Sequence, residues 1–319
     1  MNYNEKIVLV GGGGGVYQIG RYLKHKRPNI TTVQTAFDAG GHSGRLRDER
    51  GVLPPGDLRQ AILALVDDSK QSLIRRVLSH RFSPKNGSSI DGVSLGNLLL
   101  TALIEINNGN VPAGIAQLSE IAGVPEHIKI LPVSLDDANL VVTFDDGTTM
   151  QGEGLIDTRH PSDKRRIVSA DLTPSAHIYV AAYKALVEAN KIVFCPGDFW
   201  TSLIPNTRVK GFWEAMQEAT AQTIMVTNIM TKKSETDGFE ASTFASTLCN
   251  HIGRPLDVVL CNVGKIPDSV AESYAKEESF PVKTDLEIYA KKVVTGDFVS
   301  VTGGIIRHHK RVTSAIAEL

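Results

Sequence analysis

Cysteine is scarce in this sequence: Cys195, Cys249 and Cys261 are odd in number, widely spaced, and form no CxxC pair or Cys/His ligand pattern. That spacing excludes a disulfide framework and a thiolate zinc site. Cys249 falls in a helical pattern and Cys261 in a strand pattern, where a free thiol serves as a small buried hydrophobe. No charge of one sign dominates either, since 34 Lys and Arg face 35 Asp and Glu, so no overall field draws the chain to nucleic acid or an anionic membrane. No apolar run approaches the ~18 residues that cross a bilayer, which predicts no membrane insertion. The N-terminus enters a strand at Lys6–Val10 without a signal-peptide cleavage pattern, so the expected location is the cytoplasm. G-x-S-x-G and H-E-x-x-H are both missing, and His160, His308 and His309 have no partner spacing that suggests a metal.

Hydrophobic residues at 42% and charged residues at 22% of the 319 positions suit a folded globular chain. The apolar run Ile7–Val10, five glycines, a helical pattern from Val16 to about His25 and a β-type run Ile30–Phe37 compose a βαβ unit with parallel strands. Residues 38–56 carry no periodicity and read as a polar functional loop. Helices are expected over Asp57–Val66, Ser69–His80, Leu95–Ile106 and Val111–Ile121. A small β-rich insertion is expected at about 128–168, turning at Asp145-Asp146-Gly147. The parallel pattern then resumes with strands at Ile192–Cys195, Thr223–Thr227 and Val258–Cys261. The expected fold is α/β, a modified Rossmann-like, doubly wound, mainly parallel sheet forming one nucleotide-binding domain over residues 1–319.

Four polar loops follow strands. Gly11–Gly15 leaves a strand and opens a helix, so its backbone N–H groups and the helix dipole suit a phosphate. The run fits neither G-x-G-x-x-G nor the G-K-[ST] of a P-loop, which disfavours ordinary dinucleotide and P-loop chemistry. In the second loop, Asp38 stands at a strand's carboxyl end, while Gly40, Gly41 and Gly44 permit unusual backbone angles. Ser43, Arg45 and Arg47 supply anion donors there, and Arg45 is expected to hold a phosphate. Asp57 divides between helix capping and function. The third loop, from Cys195 to Ser202, adds a Pro-Gly turn with hydroxyl donors, and Trp200 is available either to stack on a base or to pack. The fourth, Asn228–Gly238, again follows a strand. Asn97, in Ser94-Leu95-Gly96-Asn97, is a capping residue or a ligand contact.

Taken in order, GGGGG, DAGGHSGRLRDERGVLPPGDLRQ, SLGNLLLTAL, PGDFWTSLIPN and NIMTKKSETDGF resemble the CofD-like superfamily, and most closely its YvcK-like branch of gluconeogenesis factors. The resemblance runs over residues 6–265. It implies nucleotide phosphates on the first glycine loop and on the loop after a later strand. By position, the shared motif residues are Gly11, Gly12, Gly13, Asp38, Gly40, Gly41, Ser43, Gly44, Arg45, Pro196, Gly197, Thr201, Ser202 and Asn228. The branch implies binding of UDP-sugars such as UDP-N-acetylglucosamine, with roles in gluconeogenic growth and cell shape. The related transferases imply transfer of a phospholactyl-type group from a nucleoside diphosphate-linked donor with magnesium. Gly14 stands where the branch usually has Thr, Ala39 where a second acidic or amide residue is common, and Cys195 and Asp198 replace Gly and Ser. The loss at Ala39 weakens a magnesium site, and Asp198 beside phosphate needs a cation or Arg45 to offset it. The first expectation is therefore a nucleotide-sugar-binding regulator, the second a magnesium-dependent transferase, and the third a nicotinamide oxidoreductase. A homo-oligomer is compatible with all three.

Overall fold

The computed structural model describes residues 4–37, 40–67, 71–83, 88, 90–160, 162–285 and 290–319. Ile7–Gly11 (β1) is buried along its whole length, as a parallel strand covered on both faces must be. It pairs in parallel with Ile30–Gln34 (β2), and β2 pairs in parallel with Lys129–Pro132 (β3). Asn139–Phe144 (β4), Thr149–Gln151 (β5) and Ile167–Thr173 (β6) form a separate antiparallel sheet. The chain then returns to the other side of β1 with Lys191–Phe194 (β7), Gln222–Val226 (β8), Leu256–Asn262 (β9) and Ala290–Gly296 (β10). The central sheet is parallel throughout, in the order β10-β9-β8-β7-β1-β2-β3. Val299–Thr302 (β11) and Ile305–His308 (β12) make a hairpin. The strand order reverses between β1 and β7, and the crevice at such a reversal is where open α/β sheets place ligands.

Helices Gly13–Leu23 (α1), Gly41–Arg50 (α2), Pro55–Leu65 (α3), Gln71–Ser79 (α4), Leu95–Ile106 (α5) and Val111–Ala122 (α6) belong to the first half of the chain. Glu153–Asp157 (α7) lies within the insertion. Val180–Val187 (α8), Ile204–Thr207 (α9), Phe212–Glu218 (α10), Ala241–Ile252 (α11), Asp268–Ala275 (α12) and Arg311–Glu318 (α13) complete the set. In α1, Val16, Ile19 and Leu23 are buried at helical spacing, and α1 packs along α3. Asn110 caps α6 by accepting from the Ala113 N–H at 3.1 Å, and Gly123 ends it in the left-handed region at φ 79°.

Among the differences from the sequence expectation, α1 starts three residues early at Gly13 and β2 ends at Gln34, and two more concern whole elements. Lys129–Pro132 joins the central sheet, so the antiparallel insertion begins at Asn139 and runs to Thr173. Residues 41–50 form α2 although they lack an apolar stripe, because this helix is mostly polar and pays its way through Arg47, which pairs with Asp137 at 2.6 Å and Asn139 at 2.8 Å. At the amino ends of the strands, Glu5 bridges Arg27 and Lys191, both at 2.9 Å. Those two cations also donate to the Ala317 and Ile316 carbonyls at the end of α13.

Candidate functional site

The glycine loop joins β1 to α1 at the reversal. Gly12 has no side chain to cap the helix, and Asp57, in the first turn of α3, does so instead: its Oδ1 accepts from the Gly13 N–H at 2.8 Å. The neighbouring glycines are required by their own chain. A Cβ on Gly12 would stand 2.6 Å from Ser202 Cβ, one on Gly13 would stand 2.7 Å from the Asp57 carbonyl, and one on Gly15 would fall inside the Pro196 carbonyl. Gly14 differs, being exposed with nothing within 4 Å of its Cβ position. It is the position where the loop opens outward, and Gln18 lies one turn further along the same helix face.

The loop after β7 is fixed to the loop after β8. Gly197 N–H donates to Asn228 Oδ1 at 3.1 Å, and Asn228 Nδ2 donates back to the Gly197 carbonyl at 2.8 Å. Thr201 is fully buried and donates to Glu235 Oε1 at 3.0 Å, while the Trp200 N–H donates to Glu235 Oε2 at 3.0 Å. Ser202 lies against Gly12. The Trp200 ring packs edge-on against Phe199 and His251 in the interior, so packing rather than base stacking is its role. Gln18, Pro196, Gly197, Asp198, Asn228 and Arg307 line one cavity of 220 Å³ at this end of β7 and β8. Arg307 is paired through its backbone with Ser300 in the β11–β12 hairpin, and its guanidinium makes no hydrogen bond or ion pair with the described residues. Beneath it, buried His308 places Nε2 3.0 Å from the Thr227 carbonyl, and burial lowers its pKa to about 4.

Asp198 has the cationic partner that its position calls for, and that partner is Lys232. Its Nζ lies 3.1 Å from Asp198, 2.8 Å from Asp157 and 2.9 Å from Glu235. Burial raises the Glu235 pKa despite the ammonium, and the three carboxylates outweigh burial to raise that of Lys232.

The second loop faces a different cavity. Gly40 and Ser43 of the α2 start, Gly56 and Asp57 of the α3 start, and Asn97 of the α5 start line a space of 430 Å³ together with Arg59 and Arg81. Ser43 Oγ accepts from Asn97 Nδ2 at 3.5 Å. Gly41 opens α2, and the Gly44 N–H donates to the Gly40 carbonyl at 3.3 Å. Arg45 runs along α2 with Nε 3.7 Å from Glu49. Asp38 and Ala39 lie outside the described residues. The structure thus brings Gly11–Gly13, Pro196, Gly197, Ser202 and Asn228 together around the β1–β7 reversal, and places Gly40 and Ser43 in the cavity beyond Asp57.

The family described as 2-phospho-L-lactate transferase CofD matches residues 7–299. The chain belongs to the CofD family. Among CofD-family relatives, the gluconeogenesis factor of Halalkalibacterium halodurans is 35% identical over 98% of this chain and 96% of its own. That of Bacillus subtilis is 33% identical over 100% of this chain and 99% of its own. A crystal structure of a Bacillus halodurans protein superposes with a TM-score of 0.90 at 34% identity, covering 98% of this chain and 99% of that one. In this CofD-family chain, several site residues carry no signal in the sequence alone. Arg59, Lys232 and Glu235 sit in motif strings, yet only the fold reveals that Arg59 turns inward and that Lys232 gathers carboxylates from three segments. Arg307 lies beyond the matching strings altogether.

Proposed function

We propose that this CofD-family protein binds a nucleoside diphosphate sugar, with UDP-N-acetylglucosamine as the reference ligand, at the β1–β7 reversal, and acts in the cytoplasm as a regulator of central carbon metabolism and cell-wall supply. The whole chain is read as one nucleotide-binding unit. The observation that carries the reading is the open first turn of α1 at Gly14, one turn before Gln18, which lines a cavity with Arg307. The positive end of an 11-residue helix and an arginine fork together suit a diphosphate. Gly197 and Asn228 tie the loops after β7 and β8 together, and Lys232 offsets the charge of Asp198. The regulatory part of the reading rests on the gluconeogenesis-factor relatives.

The transferase reading draws on the family description. Its magnesium would need carboxylates free to bind it, and Asp157, Asp198 and Glu235 do not fit, because Lys232 Nζ already sits within 3.1 Å of each. Binding is therefore the preferred reading, and no transfer step is derived.

Gly14→Glu separates binding from folding. A carboxylate in the first turn of α1 is favoured by the helix dipole and replaces a helix-weakening glycine, so the melting temperature should hold or rise. The same carboxylate should repel a diphosphate and lower UDP-N-acetylglucosamine affinity about a hundredfold, roughly 2.7 kcal/mol at 1.36 kcal/mol per tenfold. Calorimetric titration of parent and variant with UDP-N-acetylglucosamine, guanosine diphosphate and a nicotinamide dinucleotide, each with and without magnesium, ranks the three readings. Unchanged UDP-sugar affinity in Gly14→Glu refutes this one.

A further inference from the structure

The 430 Å³ cavity beyond Asp57 takes no part in the site proposed above, and its construction is unusual. Three helices of 10, 11 and 12 residues, α2, α3 and α5, start on its wall. Residues of each first turn line it, so the positive ends of three dipoles meet at the wall, although α3 opens on Pro55, which has no N–H, and in α5 the Asn97 N–H already donates to Ser94 Oγ at 3.2 Å. Two glycines make the convergence feasible. A Cβ on Gly56 would stand 2.6 Å from Ser43 Oγ, and one on Gly96 would stand 2.6 Å from Arg59 Cδ. The starts of α2 and α3 therefore touch, and α5 lies directly on the stem of Arg59.

Arg59 is the second observation. It is only 4% exposed, yet no carboxylate pairs with it among the described residues. Its Nε donates to Asn97 Oδ1 at 2.8 Å and its Nη1 reaches the Leu78 carbonyl at 3.5 Å, both neutral acceptors. A buried guanidinium without a counter-ion is costly, and here a second guanidinium, Arg81, shares the cavity and uses one N–H on the Gly92 carbonyl at 2.8 Å. Burial and the neighbouring Arg81 lower the Arg59 pKa to about 10, with Asp57 working against them. Two cations and three helix starts call for an anion carrying more than one charge. Three carboxylates share the lining: Asp57 caps α1, Asp157 is held by Lys232, and Glu153 is buried on the far wall. Across the cavity, Glu153, Asp157 and Thr158 present oxygens that accept from hydroxyl groups.

We propose that this cavity is a second ligand site, built for the phosphate of a small hydroxyl-bearing phosphomonoester such as a phosphorylated sugar or polyol. The phosphate sits between Arg59, Arg81, Ser43 and Asn97, and the hydroxyls face Glu153 and Thr158. This site stands whether or not the crevice at Gly14 takes a nucleotide sugar.

The test uses the full chain carrying Gly14→Glu, so that the glycine-loop crevice cannot supply the phosphate site. Calorimetric titration with glucose 6-phosphate and glycerol 3-phosphate should give saturable binding, and glucose and glycerol should give none. Arg81→Ala, an exposed position, should weaken binding at least tenfold without moving the melting temperature. Arg59→Lys, which keeps the charge and loses the fork, should do the same if it folds, and Asn97→Ala provides a milder second probe from the same wall. In the otherwise unaltered chain, Arg81→Ala should leave UDP-N-acetylglucosamine affinity unchanged. Absence of phosphomonoester binding at millimolar concentration, or binding insensitive to Arg81→Ala, overturns the proposal. Loss of phosphomonoester binding on Gly14→Glu alone overturns it as a separate site.

Discussion

Glycines that look equivalent in a run of five differ once each Cβ direction is filled in. Gly15→Ala should lower stability by about 1–3 kcal/mol, since the methyl group would meet the Pro196 carbonyl in a packed contact. Gly14→Ala should raise stability by about 0.5–1 kcal/mol, because the Gly14 position is open and helical. Urea unfolding of the two variants checks the opposite signs; equal signs would mean that the loop is not held as described. His308 offers a pH-dependent readout at the same scale. Burial depresses its folded-state pKa to about 4, below the ordinary 6.5, so the unfolded chain binds the proton more readily. The stability this His contributes is complete above pH 6.5 and is lost as pH falls from 6.5 toward 4, by at most about 3 kcal/mol at 1.36 kcal/mol per unit. Half-buried His251, also lowered to about 4 mainly by desolvation, acts in the same window. His308→Gln should flatten the slope, measured by urea unfolding between pH 4.5 and 7.5. A slope identical to the parent's would return the acid sensitivity to other groups.

Among the elements, Lys232 ties α7 of the insertion, the loop after β7 and the loop after β8. Lys232→Met should cost about 3–5 kcal/mol, since it leaves Glu235 and two further carboxylates uncompensated. Glu235 is already biased toward its protonated form by burial, and removing the ammonium raises its folded pKa further. A raised pKa gives stability that is lost as pH increases, so the deficit of the variant should shrink on acidification; thermal melts at pH 5 and 8 test this. A deficit that does not depend on pH would assign the loss to packing. The elements themselves were legible where pattern was strong: Leu95–Ile106 matches its helix, and Asp145-Asp146-Gly147 turns between β4 and β5. α2 was not, because its only buried apolar residue is Leu46 and its stability comes from partners far along the chain. β3 reads as part of the insertion because nothing local distinguishes a strand of the central sheet from one of a small hairpin. The strand loops were identifiable as polar, whereas the division of their residues between two cavities depends on Asp57 standing between them.

At the scale of the whole molecule, the reversal of strand order concentrates both cavities at the carboxyl ends of the strands. A ligand bound only by the folded chain stabilises it by about 2.7 kcal/mol at a hundredfold excess over its dissociation constant. UDP-N-acetylglucosamine should therefore raise the melting temperature more than a nicotinamide dinucleotide at equal concentration, given the missing G-x-G-x-x-G; the reverse ranking in a thermal-shift series would count against the nucleotide-sugar reading. The amino ends of the strands are different territory. There Glu5 holds Arg27 and Lys191, and those cations hold the last carbonyls of α13, which brings Glu5, just before β1, close to the last turn of α13. Covalent order and spatial order are thus separable in this protein. A circular permutant that joins the old ends through about six Gly/Ser residues and opens at the exposed turn Asp146-Gly147 should fold and keep both cavities.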